Sequence, residues 1–192
     1  MSPRTTAQFE EIRLKSREKI ILAAMELFSR QTYHNTSIAD IAKEAGVSKG
    51  LIYNYFDTKE DIIKGIVEYM MAMGDRIMVE SRNEDDPRQE LREMIRQTFA
   101  FIEEQGHITR LMVPLALEIE QFSFINEIIE EKSKYYLGRL VTVLERMGYE
   151  DAEMEAWTLG LMLDGIPLDY SILGARLPIK KLEQYLYKKY NL

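Results

Sequence analysis

Cysteine is absent from this 192-residue chain, so neither a disulfide framework nor a thiolate metal site can be built from it. Histidine is nearly absent too. His34 and His107 are too few and too far apart in sequence to suggest a metal centre. No apolar run reaches the length of a membrane span, and residues 1–19 are charged rather than shaped like a signal peptide. No repeat of 20–50 residues stands out. Ser48-Lys49-Gly50 lacks the remainder of a phosphate loop, and the chain contains no His-Glu-x-x-His. No Ser/His/Asp constellation is apparent, and Asn35-Thr36-Ser37 reads as a chance match to a glycosylation sequon. The expectation is a cytoplasmic protein with no membrane anchor, no cofactor and no metal.

What the chain does carry is helical spacing from end to end, with no strand signal and 46% hydrophobic residues to fill a core. The most informative stretch is 36–56. Thr36 or Ser37 can cap a helix there, with Asp40 close to its positive end. Ile38, Ile41, Ala42 and Ala45 fall on one face, and Gly46 supplies the left-handed residue that ends the helix. Ser48 can cap a second helix in which Leu51, Ile52, Tyr55 and Phe56 recur at spacings of three and four. Ser48, Lys49, Gly50, Tyr53 and Asn54 are left for the outer surface.

Helical hairpins of this kind are common, so spacing alone does not assign a role. The composition of the outer face does more. From Ser48 to Phe56 there is no acidic residue, although the chain carries a net charge of -7. Residues 1–59 hold nine Lys and Arg against seven Asp and Glu, a balance of +2, leaving sixteen against twenty-five, or -9, for the rest. Lys49 and Lys59 can meet phosphates, Tyr53 and Asn54 can donate to backbone or base edges, and Gly50 lets the helix approach a duplex. Arg4, Arg13, Lys15, Arg17 and Lys19 form either an arm toward DNA or a solvated N-terminus.

The run Gly46-Val47-Ser48-Lys49-Gly50-Leu51-Ile52-Tyr53-Asn54-Tyr55-Phe56-Asp57-Thr58-Lys59-Glu60-Asp61-Ile62 closely resembles the signature of TetR-family transcriptional repressors. Ile20, Leu22, Ala23, Ala24, Leu27 and Phe28 resemble the first helix of that family's DNA-binding domain. The likeness covers roughly residues 17–66. It implies an all-α fold of about nine helices: a three-helix DNA-binding domain over 1–60, and an effector-binding and dimerisation domain over 61–192. It implies that Lys49, Gly50, Tyr53, Asn54 and Lys59 lie at or near DNA, with Tyr53 and Lys59 on phosphates, and Thr36, Ser37 and Ser48 complete the expected DNA-binding set. One departure is Ala39, where many members carry arginine, so sequence readout leans on residues 49–54.

Beyond Lys59, helices are expected over 60–81, 88–105 with Gly106 ending it, 124–147, 152–173 and 178–190. Asn83-Glu84-Asp85-Asp86-Pro87 reads as a surface loop rather than a calcium site, since it lacks EF-hand spacing. Pro114 and Pro167 interrupt helical hydrogen bonding and are candidates for a cavity wall or hinge. In the family the middle helices surround a small effector, here of unknown identity. Candidate lining residues are Phe99, Phe101, Met112, Phe122, Tyr135, Tyr136, Trp157 and Met162, each of which also fits an ordinary core position. Glu118, Glu120 and Asp164 would favour a cationic effector if they pointed inward.

Trp157, Leu161, Asp164, Gly165, Leu168 and Ile172 recur at helical spacing, with Gly160 and Gly165 permitting close approach of a second helix. Leu182, Tyr185, Leu186 and Lys189 do the same on the last helix. Both sets fit a subunit core. The resemblance implies instead a four-helix homodimer interface, with Leu161, Gly165, Leu168, Ile172, Leu182, Tyr185 and Leu186 as its residues. The reading is a DNA-binding regulator, not an enzyme, that represses from a palindromic operator until a small effector releases it. The competing class is an all-helical enzyme or ligand-binding protein whose N-terminal hairpin is structural.

Overall fold

The computed structural model describes the backbone of residues 6–119 and 122–192, without the side chains of 6, 7, 9, 112–114, 116–119 and 124. Among the described residues are nine α-helices, one 3-10 turn and no strand. None of these helices is long and apolar enough to cross a membrane. The chain divides into two compact units, Met1–Met70 with Pro114–Gln121, and Met71–Val113 with Phe122–Leu192. The first unit thus takes in the opening turns of the helix that follows residue 60.

The first unit is built on α1 (Thr6–Gln31), α2 (Ile38–Ala45), α3 (Lys49–Tyr53) and the start of α4 (Lys59–Glu80). Local hydrogen bonding sets each boundary. Ser37 accepts from Asp40 N at 3.1 Å while Asp40 accepts from Ser37 N at 2.9 Å, a reciprocal cap on α2. The Ser37 hydroxyl, donating to Asp40 Oδ2 at 2.6 Å, and then the Ser37 N–H hold the Asp40 carboxyl below its ordinary range. Thr58 and Asp61 repeat the device at the start of α4, at 3.1 and 2.9 Å. Gly46, at φ 66°, ends α2 in the left-handed region, and Val47 N returns to Ala42 O at 2.9 Å.

The unit's core follows the expected faces. Ile20, Ala24 and Phe28 of α1, Ile41 and Ala42 of α2, Ile52 of α3, and Ile62, Ile63 and Ile66 of α4 are all buried. Gly65 is required by close packing, because a Cβ there would lie 2.9 Å from the Phe56 ring. Arg13, Lys15, Arg17 and Lys19 lie within α1, so that segment is helix rather than an extended arm, while Arg4 lies outside the described residues. Lys15 pairs with Glu11 at 2.7 Å and Arg17 with Glu68 at 2.7 Å, which removes two of the basic groups from any arm.

The second unit comprises the end of α4, α5 (Pro87–Glu104), the start of α6 (Gly106–Ile119), α7 (Ser123–Arg146), α8 (Ala152–Leu173), a 3-10 turn (Gly174–Arg176) and α9 (Ile179–Lys189). Helix α5 contacts α7, α8 and α9. Its inner stripe of Leu91, Ile95, Phe99 and Ile102 meets Val143 and Leu144 of α7, Ala156 and Leu159 of α8, and Leu186 and Tyr190 in one buried cluster. In the loop before α5, Asn83 Oδ1 accepts from Asp85 N and Asp86 N, and Asp86 caps α5 by accepting from Arg88 N at 2.9 Å. The carboxylate-rich loop is thus a turn and a cap.

Two expectations change in α6 and α8, and α5 holds a feature that was not expected. Gly106 does not end a helix into a loop. It opens α6 after Gln105, and a Cβ on it would stand 2.9 Å from Tyr170 Cε1. Pro114 and Pro167 lie inside α6 and α8, which continue past them, since one proline costs a helix a single ladder bond in an otherwise supported element. Glu90, within the apolar face of α5, is fully buried. It accepts from Arg139, and from Arg146 at 2.7 Å, while Arg146 also donates to the Asn83 and Glu84 carbonyls at 2.8 and 2.7 Å.

Candidate DNA-binding interface

Helix α3 is short, and its conformation rests on its neighbours. Ser48 accepts from Leu51 N at 3.1 Å, Ile52 anchors the helix in the core, and Asn54 closes it through backbone bonds to Ile52 O and Leu51 O. With Ile52 inward, Ser48, Lys49, Gly50, Tyr53 and Asn54 all stand exposed on the other side. The Lys49 ammonium lies 5.9 Å from the Tyr53 ring centroid, leaving both polar ends outward. A Cβ added at Gly50 would meet nothing closer than Ser48 Oγ at 4.0 Å. Packing within the chain therefore does not require glycine at that position.

Two residues expected at this surface stand elsewhere. Thr36 is buried, donating to Thr32 O at 2.8 Å and accepting from Gln31 Nε2 at 3.2 Å, so its hydroxyl braces the α1–α2 turn from behind. Ser37, not Thr36, is the cap of α2, and its side chain is exposed. Lys59 is half-buried. Its ammonium donates to Tyr33 O at 2.7 Å and Thr36 O at 2.9 Å and lies 4.1 Å from the Tyr33 ring centroid. Two of its three hydrogens are thereby used within the fold, and burial lowers its pKa. Ala39 is exposed on α2 with no polar group to offer. Sequence reasoning missed Tyr55, half-buried just past α3, with the Arg13 guanidinium 6.0 Å from its ring centroid. The only signal was Arg13, about two helical turns before Ile20, which cannot by itself indicate a contact to residue 55.

In the second unit the predicted effector residues do not form one group. Phe99, Phe101 and Met162 share the core cluster, with Phe99 buried and the other two half-buried. Phe122 is half-buried at the start of α7, and the Met112 side chain lies outside the described residues, as do Glu118's side chain and Glu120. Tyr135 is exposed. Tyr136 is half-buried, its hydroxyl 3.0 Å from Met71 O and 3.2 Å from Asp75 Oδ1. Gly74 makes room for that hydroxyl, which would lie 2.7 Å from a Cβ there, and burial raises the Tyr136 pKa.

Trp157 is 49% exposed on the outer side of α8, on the same face as Leu161 at 65% and Ile172 at 64%. It is a surface residue, not part of a cavity wall. Leu168 and Tyr185 are exposed in the single chain, and a Cβ at Gly160 or Gly165 would meet nothing within 4 Å. Leu186 differs: it is buried in the subunit's own cluster, with Leu182 packed against it, because those positions of α9 face inward toward the core.

Comparison with known proteins agrees with this geometry. Residues 20–66 match the model of the bacterial regulatory proteins of the tetR family. The transcriptional regulator HbdR of Aromatoleum is 57% identical over 47 residues, which are 24% of this chain and 20% of HbdR, so the chain spans about a fifth of that relative. The nucleoid occlusion factor SlmA of Photobacterium profundum is 30% identical over 166 residues, 84% of this chain and 77% of SlmA. The fold is that of the transcriptional regulator FadR of Bacillus subtilis, solved in complex with stearoyl-CoA, at TM-score 0.70 and 22% identity over 90% of this chain and 96% of that one. The chain belongs to the tetR family of bacterial regulatory proteins.

Proposed function

We propose that the protein is a homodimeric repressor that reads a palindromic operator through α3 and is released from it by a small effector. The observation that carries this reading is the outer face of α3. It combines Ser48, Lys49, Tyr53 and Asn54 with a glycine that the chain's own packing does not need, and it holds no acidic group. A purely structural hairpin has no use for Gly50, which costs a helix about 1 kcal/mol relative to alanine. Phosphates would take Lys49 and Tyr53, base edges would take Asn54, and Gly50 would admit the duplex backbone. Lys59 has one ammonium hydrogen left for a phosphate, and its main work is to hold Tyr33 and Thr36 in place behind α3. Two copies are needed because one five-residue helix makes few contacts, whereas paired heads about 34–36 Å apart reach successive major grooves.

Effector release follows from linkage: a ligand that prefers the dimer incompetent for DNA weakens operator affinity, and DNA weakens ligand affinity equally. Long-chain acyl-CoA is the first ligand to test, since the FadR neighbour was solved with stearoyl-CoA.

The operator is obtained by selection from a randomised duplex pool, and affinity is then followed by fluorescence anisotropy across salt concentrations. Lys49→Ala is expected to weaken binding and to reduce the salt slope by about one per subunit. Gly50→Ala is expected to leave thermal stability equal or higher while weakening operator binding. If the intact protein selects no duplex at low salt, the DNA-binding reading fails.

A further inference from the structure

The outer face of α8 carries an apolar stripe that Asp164 interrupts, with the exposed Thr158 and Asp169 along its edge. Met154, Trp157, Leu161, Leu168 and Ile172 are exposed at helical spacing, and Asp164 stands among them, three residues after Leu161 and four before Leu168. Its carboxyl is accessible, yet the surrounding apolar atoms remove enough water to raise its pKa. Helix α8 has no Lys or Arg; its charged residues are Glu153, Glu155, Asp164 and Asp169. A second apolar helix laid along this stripe would bury Asp164 without a counter-ion, at a cost larger than the nearby methylenes return.

Helix α9 carries the complement. Lys181, Tyr185 and Lys188 are spaced by four and three, are all exposed, and so share one face. The adjacent cations are committed elsewhere, Lys180 to Glu103 and Lys189 to Glu155. Among the described residues, Lys181 and Lys188 carry no side-chain ion pair or hydrogen bond. The first turn of α8 lies beside the end of α9, where Tyr190 donates to Glu155 at 2.7 Å. Both helices turn their buried residues toward the shared cluster, and the ion pair of Lys189 with Glu155 joins the end of α9 to the first turn of α8, so their outer faces adjoin in one layer at that end. Beside Asp164, Gly165 leaves open space over the helix backbone.

We propose that this layer is self-complementary: in a dimer of the chain, Asp164 of each subunit is neutralised by the Lys181–Lys188 face of the other, which sets the register of the two subunits. The inference rests on the dimeric reading under Proposed function. By two-fold symmetry the contact is made twice, so one charge on α8 and one lysine face on α9 suffice to select the correct pairing. A shifted register leaves two carboxylates desolvated and unpaired, which disfavours it.

Sedimentation equilibrium of the full chain at neutral pH tests this. Asp164→Lys alone, and Lys181→Glu with Lys188→Glu, are each expected to weaken the dimer by about tenfold or more. Combining all three substitutions is expected to restore it to near the wild-type dissociation constant, which no misfolded variant would do. Asp164→Asn is expected to weaken the dimer. A wild-type dimer that becomes tighter with Asp164→Asn, or that the triple variant fails to restore, overturns the pairing while leaving the dimer intact. A wild-type chain that stays monomeric overturns the dimer itself.

Discussion

Glu90→Ala is expected to lower folding stability by about 3–5 kcal/mol, much of what a domain of this kind possesses. The carboxylate is fully buried and bridges Arg139 and Arg146 on α7, while Arg146 also holds the Asn83 and Glu84 carbonyls of the loop before α5. Without it, the half-buried Arg139 and the more exposed Arg146 face the emptied site with no counter-ion. Glu90→Gln keeps an acceptor but not the charge, and should lose less. Replacing the whole triad, with Glu90→Leu, Arg139→Met and Arg146→Met, is expected to recover most of the loss, because apolar packing removes the desolvation penalty along with the pairs. Urea unfolding at constant m gives these differences directly. A Glu90→Ala variant within about 1 kcal/mol of wild type would show that water or a shifted arginine replaces the carboxylate.

Leu161→Glu combined with Ile172→Glu is expected to give a folded monomer whose operator affinity falls by about 10²–10⁴, the range over which a second tethered site contributes. Both residues are mostly exposed in the single chain, so their replacement removes nothing from its own core. Leu186→Ala is the contrast. Its side chain is buried among Phe99, Val143 and Leu159, and truncation should cost about 2–5 kcal/mol of stability rather than dimerisation alone. Sedimentation with far-ultraviolet circular dichroism separates the two outcomes. A double glutamate variant that remains dimeric would move the interface away from α8.

How much of the site was legible beforehand differs from residue to residue. The caps of α2 and α3, the left-handed Gly46 and the outward set Ser48, Lys49, Gly50, Tyr53 and Asn54 were readable, since each depends on partners within three or four residues. Lys59 was readable as a cation at the start of α4. Its fold-back onto Tyr33 and Thr36, 26 and 23 residues away, was not, because a lysine stem is long enough to point either way. Thr36 and Ser37 were interchangeable as caps until packing buried one of them.

In the second unit, spacing identified α8 and α9 as amphipathic without saying which apolar residues face inward. Trp157 and Leu186 exchanged places for that reason: each belongs to a valid stripe, and only contact with α5 and α7 decides which stripe is covered. The Glu90 triad, with sequence separations of 49 and 56, left no pattern to read. The sequence by itself determined the all-helical class, the hairpin and the polar outer face of α3, because short-range hydrogen bonds and helical periodicity are written in neighbouring residues. Tertiary structure alone decided which cations remain available, which apolar face stays outside and where a buried charge finds its partners, because those depend on helices brought together across dozens of residues.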